Sequence, residues 1–482
     1  MADPAESLLQ PEEHVLSTLE ADGSRRWLRP KLAKGRFWHA RRVVAYVLLL
    51  IYSGLPWLKI SGKPAILLDV PAREFTFFGV TFLPTDTVLL AIVVLTAFLS
   101  IFFFTALFGR VWCGWACPQT VYMEFVFRPI ERLFTGRTGV GGKPRKDVAG
   151  WRKGGMYVVY FVIALHLAQT FVAYFVGVEN VKQWMWSSPT DHPAAFAIVV
   201  VLTILMMIDF AYWREQLCII GCPYGRLQSV LLDRNSKIVT YDPGRGEPRA
   251  PLRKSDRKEG KDPFADRGSC IDCHQCVHVC PTGIDIRDGL QLECIHCTQC
   301  MDACDEIMDR TGQPRGLIRY SSQAAIEGEP QRFLRPRVAI YGTLIAGLGA
   351  LFITLLATKP QADVTMLRTL GKPYFVTDSG EIDNPMRVKL TNRTGETRTY
   401  TFEIVDPPGP RLFEVDQSLS LEPGETITEP VHVMVPPDAF VSGRLDVTLR
   451  ISDDTGWSRD SSWLLFGPNQ QPQAAGQAGQ SQ

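Results

Sequence analysis

Five stretches of this 482-residue chain, residues 43–58, 88–108, 156–178, 194–213 and 338–357, are too apolar to fit the core of one soluble domain. A membrane-spanning helix needs about 20 predominantly apolar residues, and the last four stretches meet that length. The first is shorter and contains Pro56. Helices that are apolar all round have to be buried or set in lipid, so the composition predicts an integral membrane protein with a helical bundle of five spans. The first stretch is not read as a cleaved leader, because a long polar segment precedes it and no small-residue cleavage site follows.

Charge gives the expected orientation. Between Ser24 and Arg42 stand eight basic residues and no acidic one, and residues 109–155 carry nine more. The loops before the second and fourth spans carry few. The positive-inside rule places the N-terminus, the loop after span two and the segment after span four in the cytoplasm. Five spans then send the C-terminal region to the periplasm, across a cell inner membrane. All twelve cysteines fall in the segments placed on the cytoplasmic side, where thiols stay reduced. The basic runs lie at membrane ends, with Trp27, Phe37 and Trp38 at headgroup level, which favours lipid as the partner over nucleic acid.

The cysteines define the chemistry. Residues 270–281 read CIDCHQCVHVCP and residues 294–304 read CIHCTQCMDAC, two copies of C-x2-C-x2-C-x3-C. This is the spacing of bacterial iron–sulfur ligands. Zinc needs four ligands, with one close pair in each half, so eight cysteines in this register point to two 4Fe-4S clusters. The run resembles two-cluster ferredoxins, in which the fourth cysteine of each copy ligates the other cluster. That resemblance implies Cys270, Cys273, Cys276 and Cys304 for the first cluster, and Cys294, Cys297, Cys300 and Cys280 for the second. Pro281 fits the ferredoxin pattern; Asp305 stands where the second copy would carry proline. His274, His278 and His296 lie among these ligands, either tuning the clusters by hydrogen bonds or facing solvent.

A second motif follows spans two and four. C-x3-C-P occurs at Cys113, Cys117, Pro118 and again at Cys218, Cys222, Pro223, each after a pair of spans, which indicates a duplicated two-helix unit. If each helix continues past the membrane, cysteines four apart share one face, and two such helices bring four thiols together. Copper, a further cluster and redox-active dithiols are open alternatives for them, against small buried side chains.

Residues 1–40 read as a mobile arm with a basic juxtamembrane end, 41–235 as four spans, 236–322 as a ferredoxin-like insert entered through a linker at 243–268, and 338–357 as the fifth span. Residues 363–468 change character. Alternating runs at 387–390, 399–405, 427–435, 444–451 and 463–466, separated by turn residues, predict an all-β sandwich of immunoglobulin-like type without a disulfide. The tail from 469 to 482 is read as disordered. His166, mid-span, is a candidate haem or quinone ligand or proton carrier; Asp209 is expected to pair with Arg214. Met185 with His192, and His432 with Met434, are candidate copper(I) pairs.

Taken together, the order of spans, the two C-x3-C-P motifs, the two-cluster insert and the β-rich tail resembles the FixG/CcoG family over residues 40–468. These are membrane polyferredoxins, accessory proteins of the cbb class of cytochrome c oxidase. The resemblance implies an oxidoreductase that assists oxidase maturation by reducing copper(II) to copper(I). Its implied partners are oxidase subunits, copper chaperones or transporters, and a cytoplasmic electron donor. The alternatives are an electron conduit between quinol or ferredoxin and a respiratory reductase, and an assembly scaffold.

Overall fold

A computed structural model of the chain describes residues 17–18, 25, 27–60, 62–71, 74–82, 86–136, 148–252, 264–330, 334–369, 371–394, 396–413, 418–422 and 424–469. The expectations for most of the N-terminal arm, the middle of the 243–268 linker and the tail beyond 469 lie outside these residues. The chain forms two compact units, residues 1–78 with 82–353, and 79–81 with 354–482.

In the first unit α1 (Arg36–Gly54) has no side-chain cap from its own sequence. Instead the Asp302 carboxylate accepts the N–H groups of Phe37 at 3.1 Å and Trp38 at 2.7 Å, satisfying donors that a helix N-terminus leaves open. Beyond this docked start, only residues 43–54 remain as apolar helix before a tight turn (Leu55–Trp57) holding Pro56. α1 is therefore not among the helices long and apolar enough to cross a membrane. Four described helices are.

The hairpin β1 (Ile66–Asp69) and β2 (Glu74–Phe77) leads to the first of these, α2 (Thr87–Phe108). Short segments follow: α3 (Val111–Trp115), α4 (Pro118–Tyr122), a π-helical turn (Met123–Phe127) and α5 (Arg128–Thr135). Next come α6 (Gly150–Val176), α7 (Val178–Met185) and α8 (Pro193–Ile208), which runs through a π-helical turn to Trp213. A second π-helical turn (Leu217–Gly221) precedes α9 (Pro223–Leu231). α6 is the most enclosed of the apolar helices. Tyr52 of α1 donates to Leu167 O at 3.0 Å, Tyr174 donates back to Tyr52 O at 2.8 Å, and Tyr160 donates to Phe127 O at 3.0 Å.

The ferredoxin-like insert leaves and returns at one place, because β3 (Ile238–Tyr241) pairs antiparallel with β4 (Ile318–Ser321), Ile238 opposite Ser321. Between them lie α10 (Gln275–His278) and α11 (Gln299–Thr311). Val239, Ile284, Ile286, Met301, Met308 and Leu317 form its small core together with buried cysteines. The fourth apolar helix, α12 (Pro336–Ala357), follows; its Gly342 and Tyr341 lie against Phe103 and Phe102 of α2.

The second unit is a β-sandwich. One sheet has the order β9-β11-β7-β5, with β6 also paired to β7; the other runs β10-β8-β12-β13, where β5 is Ala362–Arg368, β6 Phe375–Val376, β7 Ile382–Asn392, β8 Arg398–Asp406, β9 Arg411–Phe413, β10 Leu419–Leu421, β11 Thr426–Val435, β12 Arg444–Asp453 and β13 Ser458–Phe466. Val388, Leu390, Val431, Val433, Leu449 and Ile451 fill the space between the sheets, as alternation along half-buried strands requires. Each of the five alternating runs in the sequence falls inside one of β7, β8, β11, β12 and β13.

Candidate metal and thiol centre

The eight cysteines of the insert surround two cavities. One is lined by Cys270, Cys273, Cys276 and Cys304. The other is lined by Cys280, Cys294, Cys297 and Cys300, with Cys276 on the wall between them. These are the two cross-paired sets that the ferredoxin resemblance implies. The two loops are built alike: Asp272 and His274 in the first, His296 and Thr298 in the second, take φ between 52° and 61°, which turns each loop around its cavity. Burial pushes Cys276, Cys294 and Cys304 up to about 12 and Cys297 up to about 11. Thiolates here therefore need a cationic partner, and cages of four sulfurs suit an iron–sulfur core.

The second cage is clamped to the helices after α2. Arg41, buried despite its place in a basic run, donates to Gly114 O at 2.8 Å and to Cys297 O at 2.7 Å. The Arg110 guanidinium donates to Leu292 O, and the Arg110 backbone N–H donates to His296 Nδ1 at 3.1 Å. His296 is 1% exposed, and burial with Arg110 beside it lowers its pKa to about 3. Among the three histidines of the motifs it is the one enclosed by protein. His274 reaches Arg287 at 2.8 Å.

The C-x3-C-P cysteines do not ride one continuous helix as expected. Gly109 (φ 59°) breaks the first copy and Arg214 (φ 55°) the second, each four residues before the first cysteine. Cys113 then sits on α3 and Cys218 on the π-helical turn, while Cys117 and Cys222 are the N-caps of α4 and α9, with Pro118 and Pro223 as first helical residues. Proline suits that position because its missing N–H is an open donor site anyway. The repeat nonetheless brings the thiols together: Cys218 lies within electrostatic reach of Cys113, Cys117 and Cys222. Cys113 and Cys297 are buried in one cluster, with Cys218 and Tyr224 packed against it. Burial pushes Cys113 up to about 11, and its thiol donates to Gln228 Oε1 at 3.1 Å. Among the described residues no group of three or more His, Cys, Asp or Glu side chains forms a ready single-ion site.

Beside these thiols is a small cavity lined by Gln119, Arg128, Glu215, Cys218, Cys297 and Gln299, among others. A buried ionic network stands around it. Arg128 joins Glu124 at 2.6 Å and Glu215 at 3.3 Å, and Arg214 joins Glu131 at 2.5 Å. Asp209 therefore does not pair with the Arg214 side chain; it accepts from Gln119 Nε2 at 3.0 Å. Sequence reasoning counted Arg128 and Arg132 as loop charges and missed the network, although Glu124, Arg128 and Glu131 stand at helical spacing.

The outlying candidates are less assembled. His166 is exposed on α6, 3.5 Å from Ser53 Oγ. His192 stacks on Trp184, and His432 is paired with Asp383 at 2.9 Å.

Residues 213–323 match a 4Fe-4S dicluster domain, residues 90–137 a 4Fe-4S binding domain, and residues 352–468 the IG-like fold at the C-terminus of FixG. The chain is 36% identical over 429 residues to protein RdxB of Cereibacter sphaeroides, covering 84% of this chain and 86% of that one. It is 30% identical over 487 residues to the nitrogen fixation protein FixG of Rhizobium meliloti, covering 90% and 91%. The chain belongs to the FixG family. As a FixG-family protein it is an iron–sulfur electron-transfer protein with apolar helices for a membrane, and its dicluster match spans both cages.

Proposed function

We propose that this FixG-family protein reduces copper(II) to copper(I) for the maturation of a cbb-type cytochrome c oxidase, with the C-x3-C-P thiols as the receiving site. The observation that carries the reading is the packing of Cys113 and Cys218 against Cys297 of the second cage. Clusters held in the two cages supply one-electron transfer. Drawn onto one ion, Cys113, Cys117, Cys218 and Cys222 would offer soft sulfur donors, which favour copper(I) over copper(II). A low-potential one-electron donor such as a reduced soluble ferredoxin or flavoprotein supplies each electron. One electron converts one copper(II) ion to copper(I), and no proton need be consumed.

The topology in this proposal adds a fifth, short span to the four long apolar helices, made of the apolar part of α1 together with the turn after it, residues 43–58. The N-terminus and the cages face the cytoplasm and the β-sandwich faces the periplasm, where it meets oxidase subunits or a copper chaperone or transporter. The charge distribution supports that orientation. A second reading, in which the four thiols hold a further cluster, is supported by the 4Fe-4S binding match across residues 90–137, which contain Cys113 and Cys117.

The test uses the purified chain in anaerobic lipid membranes. After chemical reduction, copper(II) is added with a copper(I)-specific chelator. Return of the oxidised visible spectrum in step with copper(I) capture is expected; a spectrum that stays reduced refutes the copper role. A Cys113→Ser, Cys117→Ser double variant is expected to lose copper binding while keeping its iron. Loss of iron with the cages intact selects the further-cluster reading instead.

A further inference from the structure

We propose that His296 donates its Nε2–H into the cage of Cys280, Cys294, Cys297 and Cys300, and that this donor makes the second cluster the easier of the two to reduce. The proposal rests on the two-cluster reading and is independent of copper as the acceptor.

The tautomer is fixed by a neighbour. His296 Nδ1 faces the Arg110 backbone N–H at 3.1 Å, so Nδ1 is an acceptor and carries no proton. A neutral imidazole then holds its proton on Nε2. A second proton on Nδ1 would set two donors against each other. Nε2 is buried and has no hydrogen-bond partner among the described residues. A buried N–H without an acceptor costs about 1–3 kcal/mol, and His296 lines the cavity of the second cage. Sulfur is the acceptor that this cavity is built to contain.

The ring is also held in place. A Cβ at Gly109 would lie 2.9 Å from His296 Cε1 and 3.3 Å from Nδ1, and Gly109 has φ 59°. The backbone where α2 ends therefore rests on the imidazole edge, and a larger residue at 109 does not fit there.

The first cage differs at the equivalent position. Asp272 stands two residues after Cys270, as His296 stands two after Cys294, and their φ angles are 52° and 54°. Asp272 is an anion occupied with Arg287 at 2.5 Å. Arg287 is shared with Asp285, also at 2.5 Å, so this corner holds two carboxylates for one guanidinium. His274 lines the same cavity, but both ring nitrogens have partners: Nδ1 faces Arg287 at 2.8 Å and Nε2 lies 3.3 Å from the Asp272 carboxylate. The second cage has Arg41 and Arg110 close by. Hydrogen-bond donors and cations beside the sulfurs favour the reduced, more negative state. This asymmetry leaves electrons in the cage that touches Cys113, which is where a receiving site on α3 needs them.

The test is a redox titration of the intact protein in lipid nanodiscs, followed by electron paramagnetic resonance. The wild type is expected to show two one-electron waves. His296→Leu, at unchanged iron content, is expected to lower the upper wave alone, by about tenfold in the reduction equilibrium, or 59 mV. His296→Gln can accept from Arg110 N–H and still donate, and is expected to keep the upper wave near its wild-type position. Movement of the lower wave, no movement in His296→Leu, or an equal fall in His296→Gln overturns the proposal. Where the variants lose iron, wild-type protein labelled with 15N-histidine and poised so that only the upper wave is reduced decides: a histidine nitrogen coupled to that spin is expected, and its absence overturns the proposal.

Discussion

Gly114, between the two cysteines of the first C-x3-C-P motif, tests whether the thiols and the second cage work as one assembly. A Cβ built there lies 2.7 Å from both His296 C and Ile295 O, and closer still to His296 O. Ordinary contact begins at 3.4 Å, so Gly114→Ala forces a separation of at least 0.7 Å between α3 and the second motif. All three obstructing atoms are backbone, and no side chain can swing aside. Overpacking of this kind costs about 1–3 kcal/mol, and alanine's better helix propensity returns about 0.5–1 kcal/mol. The net loss is therefore about 1–2 kcal/mol, at about 2–4 °C in thermal midpoint per kcal/mol. The separation also weakens the Arg41 bonds to Gly114 O and Cys297 O. The assay heats anaerobic protein and follows bleaching of the visible absorption, then compares rates of copper(II)-driven reoxidation at 25 °C. Gly154→Ala is the control, because no heavy atom lies within 4 Å of its added Cβ. If Gly114→Ala matches Gly154→Ala in both midpoint and rate, the docking account is wrong.

Four further outcomes are expected. Arg128→Met strands the Glu124 and Glu215 carboxylates in a buried site and should cost about 3–5 kcal/mol, read as a collapse in folded yield from detergent. Arg450→Ala, which removes an exposed, solvent-screened pair with Asp460, should leave the thermal midpoint where it is in the wild type. Cys304→Ala removes a ligand from the cage of Cys270, Cys273 and Cys276, so about half the iron should be lost while the signal of the second cluster survives; loss of the second signal instead would contradict the cross-pairing. Burial pushes the Glu124 carboxyl up, but Arg128 and Arg132 more than offset this and hold it below its usual 4.5. A depressed carboxyl stabilises the fold above the unfolded value and loses that contribution as pH falls through the folded one. Acid titration followed by tryptophan fluorescence should therefore show a step below pH 4.5 that Glu124→Gln abolishes.

Much of this architecture is legible in the sequence where one residue type carries the signal alone. The ligand cysteines, the long apolar runs and the alternation of β7, β8, β11, β12 and β13 each follow from local spacing. What spacing does not reveal depends on partners far along the chain. Arg41 reads as one more headgroup cation, yet its guanidinium is buried against Cys297 O, 256 residues away. Nothing in the local spacing marks Asp302, whose carboxylate caps the start of α1 from outside the helix, 264 residues from Trp38. The shortness of α1 as a membrane element has the same origin, since its first turns are committed to the insert. The helix breaks before the cysteines were hidden for another reason: Gly109 announces a left-handed turn, but Arg214 takes the same conformation with a Cβ and gives no such warning.

The two C-x3-C-P units share a helix break four residues before the first cysteine and an N-capping cysteine followed by proline, but differ in charge just before the motif, and this explains why the two copies face different neighbours. Gly109 corresponds to Arg214 and Arg110 to Glu215, each pair at the same distance before its first cysteine. In the first copy the small residue admits His296 and the cation binds the carbonyl of Leu292, so this copy faces the insert. In the second copy Glu215 turns to Arg128 and Arg214 to Glu131, so it faces α5 and the π-helical turn before it. Two identical faces would compete for the single surface of the second cage. Divergence at two positions turns one copy toward the cage and the other toward the ionic network, while both copies keep the C-x3-C-P spacing. The four thiols thus come from the repeat, and the direction each pair faces from the residues in which the repeat departs from itself.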